Sequence, residues 1–127
     1  MTREMLRAKI HRITVTEANV EYEGSLTLDV DLMRVCEMAP YERIDVYNVS
    51  NGNRFSTYLI EGQPGSGACC VNGAAAHRVQ VGDRLILCSY ASLADSELPD
   101  HRPKVVLVTD ENRVRVVKDH EEASVRA

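Results

Sequence analysis

Residues 43–60 read RIDVYNVSNGNRFSTYLI and carry the clearest structural signal in the chain. Asn51-Gly52 is a strong hairpin dipeptide, because both residue types accept the positive φ angles of a tight turn. The flanking runs, 43–49 and 53–60, are rich in β-branched and aromatic residues. The stretch therefore predicts two antiparallel strands joined at Asn51-Gly52.

Further strands are predicted on both sides of this hairpin from alternating or short apolar runs. They cover residues 3–15, a short apolar strand through Val71, and residues 83–90, 104–109 and 113–118. Loops are expected at 62–67, which contains three glycines and a proline, and at 110–112.

Helix is predicted to be a minor component. The apolar spacing within Asp29–Met38 predicts a short helix with Asp29 as its N-cap and Pro40 as its stop. A helical turn is expected after Asn72-Gly73. Many short strands and little helix predict a mainly β protein, a compact closed barrel with short helices. Residues 1–127 are expected to form a single domain, with a frayed charged tail at 119–127.

The composition argues against several functions. The chain has 19 acidic and 15 basic residues, and a net charge of -4 disfavours nucleic-acid binding through bulk electrostatics. The four cysteines form no CxxC pair and have no histidine at zinc spacing, so no metal is expected. No apolar run approaches the length of a membrane span or a signal segment. We therefore expect a cytoplasmic protein without a membrane partner.

The dipeptide Gly24-Ser25 is the most informative chemical feature. A serine hydroxyl can attack the preceding carbonyl and turn the amide into an ester, and glycine there leaves the approach unobstructed. Elimination across Ser25 would release residues 1–24, and hydrolysis of the resulting dehydroalanine would leave a pyruvoyl group and ammonia. The alternative is an ordinary turn, which is what most Gly-Ser pairs mark.

Six segments carry a resemblance to a known family. In chain order they are Met5-Leu6, Lys9-Ile10-His11-Arg12, Tyr22-Glu23-Gly24-Ser25, Asn51-Gly52, Arg54-Phe55-Ser56-Thr57-Tyr58 and Val71-Asn72-Gly73-Ala74-Ala75-Ala76-His77. Over about residues 3 to 90 the chain resembles the small pyruvoyl-dependent aspartate 1-decarboxylases. Several separate motifs at matching spacing are far more specific than any one of them.

The resemblance implies a fold, a cofactor and an assembly. The fold would be a six-stranded double-psi β-barrel, usually assembled as a homotetramer. Self-cleavage would give a β chain, 1–24, and an α chain, 25–127, whose Ser25 becomes a covalent pyruvoyl group. That cofactor would form a Schiff base with L-aspartate, which loses its α-carboxylate as carbon dioxide and yields β-alanine for pantothenate biosynthesis. Whether cleavage is spontaneous or needs a helper protein is left open.

Two cations are candidates for binding the substrate's carboxylates. Arg54 can hold a carboxylate through two charge-assisted hydrogen bonds, and Lys9 offers a second positive charge from another strand. His11 shares a face with Lys9 at period two and would tune or line the same pocket, the alternative being a hydrogen-bonded structural histidine, and Tyr22 would border the cut. The alternative for either cation is a solvated surface charge or a structural salt bridge.

Tyr58 is the candidate acid that returns a proton to carbon after carbon dioxide leaves. A phenol is protonated at neutral pH and can still give its proton to a strongly basic carbanion. The alternative is a strand tyrosine that packs its ring. The resemblance also implies that Thr57 acts in self-cleavage and substrate binding, although alternation places Thr57 on the face opposite Arg54 and Tyr58. A bulge, a strand end or a site between two subunits would reconcile these positions.

The segment Asn72-Gly73-Ala74-Ala75 matches the family's small-residue loop. Its backbone N–H groups could bind an anion, and its small side chains permit close approach. Asn72 could also orient the scissile peptide by donating to its carbonyl. The alternative is a tight packing segment without a chemical role.

Two other functions compete with aspartate decarboxylation. A pyruvoyl decarboxylase of another amino acid, such as a cationic one, would need carboxylates in its pocket, whereas the candidates here are Lys9 and Arg54. A non-catalytic barrel that binds a peptide or protein would remain uncut at Gly24-Ser25, and a barrel fold by itself implies no activity.

Overall fold

The structure is a computed structural model that describes residues 1–124, and its main feature is a nine-stranded sheet. The strands are β1 Thr2–Thr14, β2 Glu17–Asn19, β3 Ser25–Asp29, β4 Arg43–Asn48, β5 Arg54–Gly62, β6 Cys69–Asn72, β7 Arg84–Ala94, β8 Lys104–Val108 and β9 Val114–Lys118. Their order across the sheet is β2-β6-β3-β5-β4-β7-β1-β8-β9. One α-helix, α1 Val30–Val35, and two 3₁₀ helices, Gly73–Arg78 and Asp95–Asp100, complete the regular elements.

The β4–β5 hairpin confirms the prediction made from Asn51-Gly52. The two strands pair antiparallel from Arg43↔Tyr58 to Tyr47↔Arg54. In the turn, the Gly52 N–H donates to the Asn48 carbonyl at 2.8 Å, and Gly52 has a φ of +80. Glycine adopts this left-handed conformation without steric cost, and the turn spans the four residues 49–52, since the Asn48 N–H donates to the Asn53 carbonyl at 2.8 Å.

The core lies on one face of the sheet. Each central strand sends alternate residues inward, because successive side chains of a strand point to opposite faces. Burying each large aliphatic side chain stabilises the fold by roughly 1.5–3 kcal/mol. The fully buried residues include Ile10, Leu26, Leu28, Ile44, Val46, Leu59, Val71, Leu85 and Leu87.

The predicted mainly β class is confirmed, and the sheet is consistent with a small barrel. Three strand pairs are parallel: β1 with β8, β2 with β6, and β3 with β5. The expected count of six strands is not confirmed, since the described residues form nine. The surplus includes β2, a three-residue edge strand, and β3, which starts at Ser25 and was not predicted.

Helix α1 begins where predicted and ends earlier. The Asp29 carboxylate accepts the N–H of Asp31 at 2.9 Å, as an N-cap does. The helix was predicted to reach Met38 but ends at Val35. The Met38 N–H bonds to the Met33 carbonyl, and Glu37 takes a φ of +55. This is a Schellman ending built without glycine, which is why the sequence did not signal it.

The last described residues form no helix or strand after Lys118. Glu121 nevertheless contacts Lys9 on β1, with 3.1 Å between the Lys9 Nζ and a Glu121 carboxylate oxygen. Residues 125–127 of the predicted frayed tail lie outside the described residues, so fraying stays a prediction. Within residues 1–124, no helix has the length and apolarity needed to cross a membrane.

Candidate active site

Ser25 has the most unusual backbone of the predicted site residues. Its φ is +116, a region that side-chain-bearing residues rarely occupy. The residue is 1% exposed and is the first residue of β3, so the strained torsion lies at the junction between an exposed loop and the buried sheet. Strain of this kind costs on the order of 1–3 kcal/mol and persists only where the surroundings enforce it.

Gly24 differs from what we expected of it. Its missing Cβ is expected to leave the approach to its carbonyl unobstructed, but its φ is not positive, and a Cβ there would meet no atom within 4 Å outside the adjacent residues. The positive φ belongs to Ser25 instead. In the folded chain the close approach that requires glycine occurs at Gly73.

Gly73 lies directly against the Tyr22–Gly24 loop. Its φ is +67, and a Cβ there would lie 2.8 Å from the Gly24 Cα and 3.2 Å from the Tyr22 carbonyl oxygen. Contacts under 3.0 Å essentially never occur for real Cβ atoms. The missing side chain of Gly73 therefore lets two backbone segments meet beside Ser25. Tyr22 contributes its carbonyl to this contact, while its residue surface is largely exposed.

Asn72 connects Ser25 to a residue that the sequence analysis missed. Its Nδ2 donates to the Ser25 Oγ at 3.4 Å and to the Thr27 Oγ1 at 3.2 Å. Asn72 is 5% exposed and pairs with Ser25 across β3 and β6. The expected bond was to the scissile carbonyl, whereas the observed acceptor on Ser25 is the hydroxyl. Alternation could have identified Thr27, because it shares a face with Ser25 at period two.

Ala74 and Ala75 follow Gly73 in the 3₁₀ helix. Ala74 is exposed, and Ala75 packs partly against the core. The close approach of substrate that their small side chains would permit stays a prediction.

The register of the sheet places the other polar candidates on one face. Residues directly opposite in neighbouring strands share a face, and the pairs Lys9↔Cys88, Cys88↔Asp45 and Asp45↔Ser56 connect β1 to β5. At period two, His11 joins Lys9, and Arg54 and Tyr58 join Ser56. Ile60 shares this face with Tyr58 and pairs with Thr27, which in turn pairs with Cys70. Ser25 lies two residues before Thr27, and Asn72 lies two residues after Cys70, so both share the same face. All these side chains therefore lie on the outer face, opposite the core.

Thr57 lies on the inner face instead. It pairs with the buried Ile44, and the β4–β5 register runs without a shift from Arg43↔Tyr58 to Tyr47↔Arg54. Thr57 is also the fourth residue of a nine-residue strand. A bulge in this register and a strand end are thus both ruled out as explanations, which leaves a site between two subunits as the remaining prediction.

Arg54 is held in place by an aromatic ring. Its Cζ lies 4.4 Å from the centroid of Tyr47, and the Tyr47 hydroxyl forms a 2.9 Å hydrogen bond with the Tyr90 hydroxyl. This bond and burial raise the pKa of Tyr90. Within residues 1–124 the guanidinium has no ion-pair partner, so its N–H groups are available to donate hydrogen bonds to an anion.

Lys9 is already engaged by Glu121. The lysine side chain is 15% exposed and the glutamate side chain 47%. Both line an open groove of about 230 Å³ together with His11, Lys118, His120 and Glu122. The Nδ1 atom of His11 is buried and has no hydrogen-bond partner among the described residues. Burial, followed by the charges of Lys9 and Arg12, lowers the pKa of His11 despite the opposing effect of Glu121.

Tyr58 lies at the edge of another open groove. This groove of about 320 Å³ is lined by Arg43, Ser56, Thr57 and Tyr58. Tyr58 is 40% exposed, and its ring lies 6.3 Å from that of Tyr41, measured between centroids. Extending the parallel β3–β5 register back by one residue from Leu26↔Leu59 puts Tyr58 level with Ser25.

One chain brings these residues together only in part. Ser25, Asn72, Thr27 and Gly73 form one group, and Tyr58 lies on the strand next to it. Lys9 and His11 lie on β1, which is separated from β5 by β4 and β7, about 14 Å along the sheet. In the part of the chain that the structure describes, no hydrogen bond or ion pair joins the Lys9 group to the Ser25 group.

The chain offers no obvious alternative chemistry. The described residues contain no cluster of three or more metal-ligating side chains. All four cysteines are free thiols, and burial raises the pKa of each, most strongly for the fully buried Cys69, and for Cys36 to about 12. Reactive cysteines have lowered pKa values, so the thiols are poor nucleophile candidates.

Comparison with known proteins supplies the family. The family profile described as aspartate decarboxylase matches residues 1–115. The chain is 52% identical over 118 residues to an aspartate 1-decarboxylase of Ralstonia nicotianae, covering 93% of this chain and 98% of that protein. It is 54% identical to an aspartate 1-decarboxylase of Bordetella avium, with 93% and 97% covered. An aspartate 1-decarboxylase of Cupriavidus taiwanensis is 51% identical, with 93% and 98% covered. Together with the strained Ser25 and its partners, these matches establish that the chain belongs to the aspartate decarboxylase family.

Proposed function

We propose that the chain decarboxylates L-aspartate to β-alanine, which supplies pantothenate biosynthesis, with a pyruvoyl group made from Ser25 as its cofactor. The precursor would cut itself between Gly24 and Ser25 into a β chain, 1–24, and an α chain, 25–127. The observation that carries the proposal is the buried Ser25, whose φ of +116 and contact with Asn72 lie at the predicted cleavage position of this family.

Self-cleavage would use the contacts around Ser25. The hydroxyl oxygen attacks the Gly24 carbonyl carbon, the C–N bond breaks, and the nitrogen remains on residue 25 as an amine. Asn72 fixes the hydroxyl, and Gly73 keeps the Gly24 backbone against it. Elimination then releases Gly24 as a carboxylate, and water replaces the amine nitrogen as ammonia leaves. Strain at Ser25 would be relieved when the bond to Gly24 breaks, which favours cleavage.

Substrate binding would depend on the two cations. Arg54 is preorganised by Tyr47 and has no competing ion pair among the described residues, so it suits the carboxylate that is retained. Lys9 would attract a carboxylate of the substrate and must first give up Glu121. His11 borders Lys9, and its buried Nδ1 without a partner fits a ligand or a neighbouring subunit that supplies one.

Decarboxylation would need an electron acceptor and a proton donor. The pyruvoyl group supplies a carbonyl that condenses with the substrate amine and withdraws electrons as carbon dioxide leaves. Tyr58 lies level with Ser25 on the neighbouring strand and would deliver the proton to carbon. Gly73, Ala74 and Ala75 would let the substrate approach the backbone closely, with Tyr22 bordering the site.

A homotetramer with sites between subunits would reconcile the geometry. Thr57 faces inward and Lys9 lies far from Ser25 along the sheet, so a second copy of the chain would complete the constellation. We also propose that the enzyme is cytoplasmic, because four free thiols are typical of a reducing compartment. Two routes to cleavage stay open in this proposal: spontaneous cleavage, and cleavage that needs a maturation helper protein.

The test is the intact mass of the denatured protein, with and without cyanoborohydride and L-aspartate. We expect two fragments, the larger one lighter by one ammonia than a chain starting with serine, and an aspartate adduct on that fragment alone. Ser25→Ala should remain one chain without an adduct. An adduct with L-lysine but not with L-aspartate would mean that the substrate is a cationic amino acid and not aspartate. An uncut chain without any adduct would favour a binding module.

A further inference from the structure

Tyr41 has a backbone conformation that its residue type disfavours. Its φ is +67, in the left-handed region that glycine, asparagine and aspartate occupy far more readily than aromatic residues. Such strain persists only where the surrounding structure enforces it, and it concentrates at functional sites. Tyr41 is also 77% exposed, so packing in the core does not explain the choice of residue.

The turn that carries Tyr41 is fixed against β5. The Tyr41 N–H donates to the Leu59 carbonyl at 2.7 Å, and the Leu59 N–H donates to the Glu42 carbonyl at 3.0 Å. The Glu42 carboxylate accepts the Ala39 N–H at 3.1 Å and Arg7 Nη2 at 2.7 Å. These bonds hold the turn rigidly beside the residue that follows Tyr58.

The ring of Tyr41 contacts the ring of Tyr58. Their centroids lie 6.3 Å apart with an interplanar angle of 31°, within the range that attractive aromatic pairs adopt. Tyr58 lines the groove of about 320 Å³ described above, and Tyr41 lines a neighbouring groove of about 250 Å³ with Pro40, Ile60 and Glu61. Each of the two paired rings thus lines one of the grooves.

We propose that Tyr41 is a positioning residue for Tyr58. The inference rests on the proposed function, in which Tyr58 donates the proton to carbon. Tyr58 is a half-exposed side chain on a strand face, and without a neighbour its ring would sample several rotamers. A ring held by a rigid turn restricts Tyr58 to the orientation in which its hydroxyl can reach the substrate. The strained φ is the consequence of placing a large ring, rather than asparagine or glycine, at this turn.

The test compares Tyr41→Asn with Tyr41→Phe in the self-cleaved protein. Asparagine suits the left-handed backbone and removes the ring, so the variant should fold with an unchanged or higher Tm. We expect kcat to fall about tenfold with KM unchanged, because misplacing a reacting group by about an ångström can cost up to about a hundredfold. Phenylalanine keeps the ring and should restore kcat to within about twofold.

A double-mutant cycle identifies the route of the effect. If Tyr41 acts through Tyr58, Tyr41→Asn should have no further effect on kcat in a Tyr58→Phe background. An unchanged kcat in Tyr41→Asn, or an equal loss in both backgrounds, would overturn the proposal while leaving aspartate decarboxylation intact. A wild-type chain that is cleaved but does not consume L-aspartate would overturn the proposed function and this inference with it.

Discussion

Gly73 and Gly24 meet backbone to backbone, with so little space between them that a Cβ on Gly73 would lie 2.8 Å from the Gly24 Cα. The contact lies beside Ser25, whose φ of +116 is the most strained torsion near the predicted cut. Two residues far apart in sequence thus define the position of the scissile peptide. The small-residue loop predicts a close approach at Gly73, and the backbone that it meets is that of the Tyr22–Gly24 loop.

Gly73→Ala is expected to slow or block self-cleavage. The added Cβ must push the Gly24 backbone away from Ser25, and a displacement of about an ångström can cost up to about a hundredfold in rate. The measurement is the fraction of uncut chain over time on a denaturing gel.

Gly52→Ala is the matched control for this experiment. Gly52 also has a positive φ, +80, but a Cβ there would meet no atom within 4 Å. Both variants carry the backbone strain of alanine at a left-handed position, and only Gly73→Ala adds the clash. Equal cleavage rates in the two variants would contradict the role assigned to the Gly73–Gly24 contact.

Thr27→Val should slow self-cleavage as well, to a smaller extent. Valine keeps the shape of threonine and removes the Oγ1 that accepts one of the two hydrogen bonds of Asn72. Losing one such bond corresponds to about 0.5–1.5 kcal/mol, or roughly a two- to tenfold change in rate. Asn72→Ala should have the larger effect, because it also frees the Ser25 hydroxyl.

Thr16→Val provides the comparison for Thr27→Val. Thr16 also contacts β6, where its Oγ1 accepts the Cys69 N–H at 2.9 Å. This variant should lower the Tm and leave the cleavage rate unchanged. If both threonine variants slowed cleavage equally, the effect would belong to the stability of β6 and not to the orientation of Asn72.

Local signals predicted the parts of the fold that local physics determines. Asn51-Gly52 indicated the β4–β5 hairpin correctly, because Asn-Gly favours turns, although the turn observed is a four-residue loop over 49–52 in which Gly52 takes the positive φ. The faces of Lys9 with His11 and of Arg54 with Tyr58 followed from period two within one strand. Strand β3 was missed although Leu26 and Leu28 alternate with polar residues, because five residues of alternation gave little signal beside the predicted helix.

Contacts between distant residues were out of reach of the sequence. Neither the neighbours of β3 nor the bond from Glu121 to Lys9, 112 residues away, leaves a local trace. The positive φ of Ser25 was equally hidden, since serine does not signal that conformation as glycine would. The roles of the site residues stay predictions, because they depend on the substrate and on the proposed assembly.

His11 should make the folded protein less stable at mildly acidic pH. Burial and the nearby cations lower its pKa below the ordinary value of 6.5. Below that pH the unfolded chain binds a proton more readily than the folded one, so stability is full above about pH 6.5 and declines as pH falls toward the folded-state pKa. We expect the Tm of the wild type to drop more between pH 7.5 and 5.5 than that of His11→Gln. His77→Gln removes an exposed histidine as a control, and an equal drop in wild type and His11→Gln would refute the assignment.

Glu121 should compete with the substrate for Lys9. The carboxylate lies 3.1 Å from the ammonium that we propose attracts aspartate, so binding must break this ion pair. Exposed pairs are worth roughly 0.2–1 kcal/mol, which limits the gain from Glu121→Gln to about a fivefold lower KM at low salt. The effect should vanish at high salt, since screening weakens the competing pair. Glu122→Gln removes the same charge from the neighbouring residue and leaves the Lys9 pair intact, so its KM should stay close to that of the wild type. If both variants lowered KM equally, net charge would be the cause, and if neither did, Lys9 would be free of competition from the tail.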